Sequence, residues 1–282
     1  MEVLAKDLDW ALCFIEETVK RHVQFNDDIE REFRTAGHGI PPDLSSSMIQ
    51  ATRSLLTPAT KGKGVFLVVT GIDRTGKETQ CFNPKKLPGV TSIHEHLTTN
   101  SFQTLPIGLP SYNTLLGGLI AAYLNAPEQR VVIEGELPRD RAWVLWGLDR
   151  AQHNGTVQEW LRTERNVVLS RRWMESNMAY QVANEINPQR MLEFERNILK
   201  QDHTIVLDAP IDPLFDRINY SDEKSDKYEQ REFMERVRQN YLNLPRYYPF
   251  GQFIVLNGAA SPEKVNIQVL RALEQMGFDS NH

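Results

Sequence analysis

The stretch Gly71-Ile72-Asp73-Arg74-Thr75-Gly76-Lys77-Glu78-Thr79-Gln80 decides the fold class of this 282-residue chain, because it has the spacing GxxxxGK. The apolar run at residues 65–69 stands directly before it, as expected of a strand buried on both faces. Glycines at this spacing let backbone N–H groups turn inward around phosphate, and the following helix adds the positive end of its dipole. The sequence therefore predicts a nucleotide-binding P-loop, with Lys77 bridging the β- and γ-phosphates.

The residue after the P-loop lysine bears on the metal. A Ser or Thr usually stands there, and its hydroxyl binds Mg²⁺. Here the residue is Glu78, and Thr79 points about 100° further round the helix, so that it cannot simply replace the hydroxyl. Glu78 is therefore the candidate metal ligand, and ATP and Mg²⁺ are the expected cofactors. The predicted ATP-binding residues are Gly71, Ile72, Asp73, Arg74, Thr75, Gly76, Lys77, Glu78 and Thr79.

Strand and helix patterns alternate along the rest of the chain. The predicted strands are 65–69, 90–93, 166–169, 204–207 and 253–256, and the predicted helices are 114–125, 139–153, 176–186, 188–201, 229–242 and 262–276. This alternation predicts an α/β fold of three layers, with a five-stranded parallel sheet between helices. Ligands of such sheets bind at the carboxyl ends of the strands.

Residues 1–63 have a different pattern and are predicted to be an N-terminal helical extension and linker, followed by a P-loop domain at 64–282. The spacing of apolar residues predicts one helix over 1–35, and a second, capped by the serines at 45–47, ends near residue 56. Residues 57–64 are predicted to be a linker. The extension either packs on the main domain or docks a partner or substrate. The apolar stripe of the first helix is Leu4, Leu8, Leu12, Ile15 and Val19.

The composition excludes several classes of protein. Apolar residues make up 40% and charged residues 24%, which excludes a mainly disordered chain. A formal net charge of −5 excludes a globally basic nucleic-acid binder, but not a local basic groove. The two cysteines form no disulfide framework, no apolar run approaches the ~20 residues of a membrane helix, and the first residues lack a signal peptide. We therefore expect a cytoplasmic protein without a membrane partner.

The P-loop resembles the G-x-D-x-x-G-K-S-T-Q loop of thymidylate kinases, and the resemblance continues in order over residues 65–276. Residues 109–117 are similar to the family's F-P-x-R-x-T-x-x-G stretch, and residues 171–181 match D-R-Y-x-x-S-x-x-A-Y-Q. Leu207-Asp208 with Arg217 matches the L-D…R before the lid, and residues 226–229 match the lid's D-R-x-E. The resemblance implies a P-loop kinase fold and an ATP-dependent phosphotransferase that acts on a thymidine-like pyrimidine.

The resemblance also implies the residues that hold the acceptor nucleoside. Trp146 is expected to stack on the pyrimidine and Arg150 to bond its O4 edge. Their i, i+4 spacing on a helix supports this, although a core tryptophan and a surface arginine remain the alternative. Asn177 resembles the residue that meets pyrimidine N3, and Tyr180 the one beneath the deoxyribose.

The catalytic residues implied by the family are Lys77, Arg74, Arg172 and Asp73. Asp73 resembles the carboxylate near the sugar hydroxyl and acceptor phosphate, and Arg172 the arginine that holds this phosphate. Arg74 resembles a catalytic arginine that some members carry in the P-loop and others in the lid. The lid candidate, residues 218–227, contains no arginine, which is consistent with that role for Arg74.

Three departures from the family pattern affect the phosphate surroundings. Tyr112 replaces the phosphate-gripping arginine of F-P-x-R, Arg171 replaces the aspartate of D-R, and Glu78 replaces the magnesium hydroxyl. A site for a free 5′-monophosphate is not expected to exchange a bidentate arginine for a tyrosine. Tyr112 thus favours a modified pyrimidine acceptor, 5-hydroxymethyl-deoxyuridine in DNA, as in divergent phage relatives, with the base extruded into the pocket.

Two other functions stay open at this point. One is a dTMP kinase that makes dTDP from dTMP and ATP, which the family as a whole implies. The other is a degenerate nucleotide-binding protein without catalysis, suggested by Glu78 and Arg171 and opposed by Lys77, Arg74 and Arg172. The expected partners are ATP and a thymidine-like nucleotide or a modified DNA base. A homodimer, and a host cytoplasm if the protein is phage-encoded, also remain open.

Overall fold

The parallel sheet at the centre of the molecule confirms the predicted α/β fold. The computed structural model describes residues 1–22, 26–37, 39–127, 130–212 and 231–279. The strands of the central sheet run in the order β3-β5-β2-β6-β7, and every neighbouring pair is parallel. They are β2 (Val65–Thr70), β3 (Gln103–Gly108), β5 (Asn166–Arg171), β6 (His203–Asp208) and β7 (Gln252–Asn257).

Alternate side chains of β2 enter two separate apolar cores, one on each face of the sheet. Phe66 and Val68 pack into one core, and Leu67 and Val69 pack into the other. This period of two explains why the strand sequence is apolar throughout. The covering helices are α4 (Lys77–Phe82), α5 (Ile93–Thr99), α6 (Leu115–Leu124), α7 (Arg139–Ala151), α8 (Asn154–Trp160), α9 (Met174–Ala183), α10 (Pro188–Phe194), α11 (Arg231–Asn243) and α12 (Pro262–Gln275).

The edge strand β3 was not among the predicted strands. The predicted strand at 90–93 is wrong, because Ser92 caps α5 there by accepting a hydrogen bond from the Glu95 N–H at 3.1 Å. The true strand contains Pro106, which lacks a backbone donor and is tolerated because β3 has a neighbour only on its β5 side. Polar, partly exposed residues give β3 little of the apolar signal of a buried strand.

The N-terminal extension contains more elements than predicted. They are β1 (Glu2–Leu4), α1 (Ala5–Lys20), α2 (Asp27–Ala36) and α3 (Pro42–Leu56), and β1 pairs in parallel with β4 (Val132–Glu134). The single helix predicted over 1–35 is wrong, because His22 adopts φ 55° and Asn26 caps a new helix by accepting from the Ile29 N–H at 3.0 Å. The serines at 45–47 lie inside α3 rather than at its cap. The predicted end near residue 56 is confirmed.

The extension shares one apolar core with the P-loop domain. Leu8, Leu12 and Met48 are fully buried in the same cluster as Leu145 and Leu148 of α7. The buried carboxylate of Glu16 on α1 also accepts hydrogen bonds from Arg141 of α7, at 2.9 Å, and from Arg190 of α10. The extension therefore packs against α7, the helix that bears Trp146 and Arg150. No helix in the described ranges is both long enough and apolar enough to cross a bilayer.

Candidate active site

The P-loop leaves the carboxyl end of β2 and has the backbone conformations that its glycines permit. Gly71 has φ 135° and Gly76 has φ 86°, a region that only glycine adopts freely. A Cβ atom on Gly71 would lie 2.4 Å from the Leu207 carbonyl oxygen, whereas one on Gly76 would meet open space. Residues 71–79 thus form the predicted loop and the first turn of α4, and their contact with ATP stays a prediction. The helix α4 is short and ends at Phe82, with Asn83 as its C-cap.

Lys77 is buried in the loop rather than extended into solvent. Its Nζ donates to the Ile72 carbonyl oxygen at 2.6 Å, and its side chain is 6% exposed. Burial, reinforced by the neighbouring Arg172 cation, lowers the pKa of Lys77 to about 7. A bound phosphate would oppose both effects, because an anion beside the amine favours its charged form. The lysine is therefore placed for an anionic ligand that the loop would surround.

Asp73, Arg172 and Tyr180 form one hydrogen-bonded group beside the lysine. The Arg172 Nη2 donates to Asp73 Oδ1, and the Tyr180 hydroxyl donates to Asp73 Oδ2 at 2.7 Å. Burial alone would raise the pKa of Asp73, but Arg172, Lys77 and these hydrogen bonds outweigh it and lower the pKa to about 2. Asp73 is therefore a carboxylate throughout the physiological range and holds Arg172 toward the P-loop.

Arg171 and Glu78, two of the three departures from the family pattern, form an ion pair with each other. The Nε of Arg171 lies 3.1 Å from Glu78 Oε2, and the two side chains are 31% and 47% exposed. A Cβ on Gly108 would lie 3.4 Å from Arg171 Nη2, so the guanidinium rests against the end of β3. Parallel pairing of β5 with both β2 and β3 brings these residues together. The sequence alone offered no signal for this pairing.

One pocket of about 200 Å³ joins the phosphate-loop residues to the predicted nucleoside residues. Arg171, Arg172 and Asp73 line its end beside the P-loop. Trp146 and Arg150 of α7 and Asn177 of α9 line the other end, with apolar walls from Leu109 and Leu124. The seven predicted residues that the fold brings into this pocket are Asp73, Tyr112, Trp146, Arg150, Arg172, Asn177 and Tyr180.

The surroundings of Trp146 and Arg150 differ from the alternative in which the tryptophan lies in the core and the arginine on the surface. Trp146 is partly buried and packs edge-on against Tyr123, with ring centroids 5.8 Å apart. Arg150 is 2% exposed and forms two hydrogen bonds with the fully buried Glu195, so it is no surface charge. Glu195 was not identified from the sequence, because it follows α10 at a separation of 45 residues from Arg150.

Some predicted features lie elsewhere. Arg217, the lid candidate at 218–227 and the D-R-x-E match at 226–229 fall outside the described residues. Asp208 ends β6 and accepts two hydrogen bonds from Arg238 of α11, at 2.7 and 2.9 Å. No cluster of three His, Cys, Asp or Glu side chains suited to a metal ion occurs within the described ranges. Glu78 as a magnesium ligand therefore stays a prediction.

Comparison with known proteins agrees with this geometry. The thymidylate kinase family model matches residues 69–269. A probable thymidylate kinase of Thermococcus gammatolerans is 27% identical over 213 residues, which are 75% of this chain and 97% of the relative. The thymidylate kinase of Kosmotoga olearia is 30% identical over 213 residues, which are 73% of this chain and 94% of the relative.

A solved structure also shares the fold. The thymidylate kinase of Candida albicans superimposes with a TM-score of 0.55 at 20% identity, over 78% of this chain and 95% of that one. Residues 1–68, which include the predicted extension, precede the part of the chain that matches the family model. With the P-loop, the pocket and the match in agreement, the chain belongs to the thymidylate kinase family and is a P-loop phosphotransferase.

Proposed function

We propose that the protein transfers the γ-phosphoryl group of ATP to dTMP and makes dTDP and ADP. A phosphate oxygen of dTMP attacks the γ-phosphorus, and the bond from that phosphorus to the β-phosphate oxygen breaks. Such transfer depends chiefly on positioning and on neutralising charge. The supporting observation is one pocket with pyrimidine-suited residues at one end and two arginines beside the P-loop at the other.

Arg171 is placed to supply the phosphate contact that is lost because Tyr112 replaces the family's arginine. In the sequence, Tyr112 in place of the family's arginine indicates a weaker hold on a 5′-monophosphate and favours 5-hydroxymethyl-deoxyuridine in DNA as the acceptor. Arg171 lies against the end of β3, where the segment leading to Tyr112 begins, and lines the pocket with Arg172. Two guanidinium groups can bind a phosphate monoester through charge-assisted hydrogen bonds. The similarity to proteins named thymidylate kinase also supports dTMP, rather than the modified base, as the acceptor.

The charge of the phosphate end supports binding of ATP as well. The P-loop and the end of β5 carry four cationic side chains and two carboxylates, which leaves an excess of positive charge for phosphates. They are Arg74, Lys77, Arg171 and Arg172, with Asp73 and Glu78. Asp73 and Arg172 hold the acceptor end, while Lys77 and Arg74 stabilise negative charge as the γ-phosphoryl group detaches.

The residues present fit a magnesium ion that is held mainly by phosphate. Glu78 is the half-exposed carboxylate at the start of α4, and a hard cation prefers such oxygen ligands. When bound, Mg²⁺ would neutralise charge on the β- and γ-phosphates. Glu78 would be the residue that holds the ion, and Arg171 would bind the acceptor phosphate. Cytoplasmic location and a homodimer remain predictions.

A side-by-side transfer assay tests the proposal. Radiolabelled ATP is offered with dTMP, with 5-hydroxymethyl-dUMP and with DNA that contains 5-hydroxymethyluracil. We expect rapid labelling of dTMP and none of the DNA. Labelling of the DNA without labelling of dTMP would overturn the proposal and restore the modified-base hypothesis. Absence of transfer to all three acceptors would also overturn it.

A further inference from the structure

A buried ion pair stands directly behind the base end of the pocket. Arg150 Nε donates to Glu195 Oε2 at 2.6 Å and Arg150 Nη2 donates to Oε1 at 2.5 Å. The two side chains are 2% and 0% exposed. Removing two charges from water is costly, and a pair of this kind adds little stability compared with apolar side chains of the same volume. Its presence beside a ligand pocket therefore needs an explanation other than stability.

Glu195 also determines which way the Asn177 amide faces. Asn177 Nδ2 lies 3.5 Å from Glu195 Oε1, so the amide nitrogen is turned toward the carboxylate. Asn177 Oδ1 is then directed away from Glu195, is buried, and has no hydrogen-bond partner among the described residues. Asn177 itself is 3% exposed and lines the pocket. A buried acceptor without a partner is expected to receive a donor from a ligand.

The backbone around Glu195 is fixed by contacts that do not involve the pocket. Lys200 Nζ donates to the carbonyl oxygens of Glu195 and Ile198 at 2.6 and 2.8 Å. On the neighbouring helix, Gly147 lets this turn come close, because a Cβ there would lie 2.6 Å from a ring carbon of Phe194. The carboxylate is thus held in place before any ligand binds.

We infer that Glu195 is a positioning residue that sets the base specificity of the pocket. It occupies Nε and Nη2 of Arg150 and leaves Nη1 as the donor for the ligand side, while it turns Asn177 Oδ1 into the pocket as an acceptor. One donor beside one acceptor complements a pyrimidine with a carbonyl at C4 and a hydrogen on N3. A 4-aminopyrimidine presents the opposite pattern. This inference rests on the proposed function and adds the residue behind the discrimination.

The test compares Glu195→Gln with a matched control, Glu16→Gln. Both remove a buried carboxylate that binds arginine, but Glu195 binds Arg150, which lines the pocket, whereas Glu16 binds Arg141 and Arg190, which do not. In Glu195→Gln, the NH₂ group of the new amide meets a donor group of Arg150 or of Asn177, so one of these hydrogen bonds is lost. We expect KM for dTMP to rise about 10–100-fold, with kcat and KM for ATP within about threefold, and the preference for dTMP over dCMP to fall at least about tenfold. Glu16→Gln should leave that preference unchanged.

A folded Glu195→Gln protein that keeps the parent preference within about twofold would overturn the inference. If Glu195→Gln does not fold, Glu195→Asp decides, because it keeps the buried charge but withdraws the carboxylate from Asn177. If folded Glu195→Asp retains the full preference for dTMP over dCMP, the inference is overturned. A lower preference supports the inference.

The role of Glu195 can be tested even if the proposed kinase activity on dTMP is wrong. If the parent protein does not phosphorylate dTMP, the proposed function fails, and equilibrium binding of thymidine and deoxycytidine decides the role of Glu195 without catalysis. Preference for thymidine in the parent that is lost in Glu195→Gln supports the inference. No preference in the parent, or the same preference in both, overturns it.

Discussion

The two ends of the pocket are built in different ways. At the base end, Arg150 is held by a fully buried carboxylate, and the side chains that face the ligand are fixed by the core. At the phosphate end, Arg171 and Arg172 pair with Glu78 and Asp73, and these four side chains are 17–47% exposed. The base end is thus organised before a ligand arrives, whereas the ion pairs of the phosphate end are partly open to solvent. Specificity for the base and affinity for the phosphate should therefore respond to different substitutions.

The largest effect is expected at the phosphate end, from Lys77→Ala. Phosphoryl transfer should fall at least about 10³-fold, because the lysine is a buried cation within the loop that is proposed to bind the ATP phosphates. Folding should survive, since the substitution removes a buried amine whose pKa burial has already lowered. Transfer from labelled ATP to dTMP and a thermal unfolding curve are the measurements.

Lys63→Ala is the matched control for this prediction. Lys63 is exposed and precedes β2, at the end of the strand opposite the P-loop. We expect parental activity from it. Parental activity from Lys77→Ala would mean that the loop does not bind the transferred phosphate.

A smaller but still large effect is expected from Arg171→Asp, which places a carboxylate beside the acceptor phosphate. The value of kcat/KM for dTMP should fall about 10²–10³-fold, because a charge-assisted contact is lost and a repulsion is added. KM for ATP should change much less. Arg162→Asp is the control, because Arg162 is an exposed arginine that pairs with Glu159 and does not line the pocket. Steady-state kinetics with each substrate varied in turn would show whether Arg171 serves the acceptor.

At the base end, Trp146→Ala should weaken dTMP binding by roughly 1–3 kcal/mol, by analogy with base–aromatic stacking elsewhere. Trp146→Phe should retain most of the affinity, because it keeps an aromatic plane. The measurement is the dissociation constant for dTMP by calorimetry. Equal affinities of the alanine variant and the parent protein would show that the ring packs only on Tyr123 and not on the base.

The two ends also differ in how far the sequence predicted them. The P-loop was predicted from a local signal, its fixed spacing after a strand. The pair Trp146 and Arg150 was predicted from the resemblance to thymidylate kinases, which their i, i+4 spacing on one helix supports. The partners of these residues were not predicted. Glu195 and Arg171 act across the fold, and their contacts depend on the α10 turn and on the order of the strands.

The errors in the predicted strands also arise because the identity of an element depends on distant parts of the fold. The edge strand β3 has a proline and several partly exposed residues, so its identity depends on β5 beside it rather than on its own pattern. The run at 90–93 has two apolar residues, Val90 and Ile93, and both are buried, but the run leads into the cap and first turn of α5. Burial can be inferred from a short apolar run, whereas strand or helix identity needs the neighbours.

The smallest net effect is expected from a double variant, Tyr112→Arg with Arg171→Asp, which restores both residues of the family pattern. Tyr112 and Arg171 line the same pocket, and Arg171 rests against the strand end that leads to Tyr112. If the chain has moved one phosphate-binding arginine from the loop after β3 to the end of β5, Tyr112→Arg should compensate for Arg171→Asp. Arg171→Asp alone should be severely impaired, Tyr112→Arg alone should stay within about threefold of the parent, and the double variant should recover to within about tenfold. The four proteins form a double-mutant cycle in kcat/KM for dTMP. A double variant as poor as Arg171→Asp alone would show that the two positions are independent and that Arg171 does not replace the missing arginine.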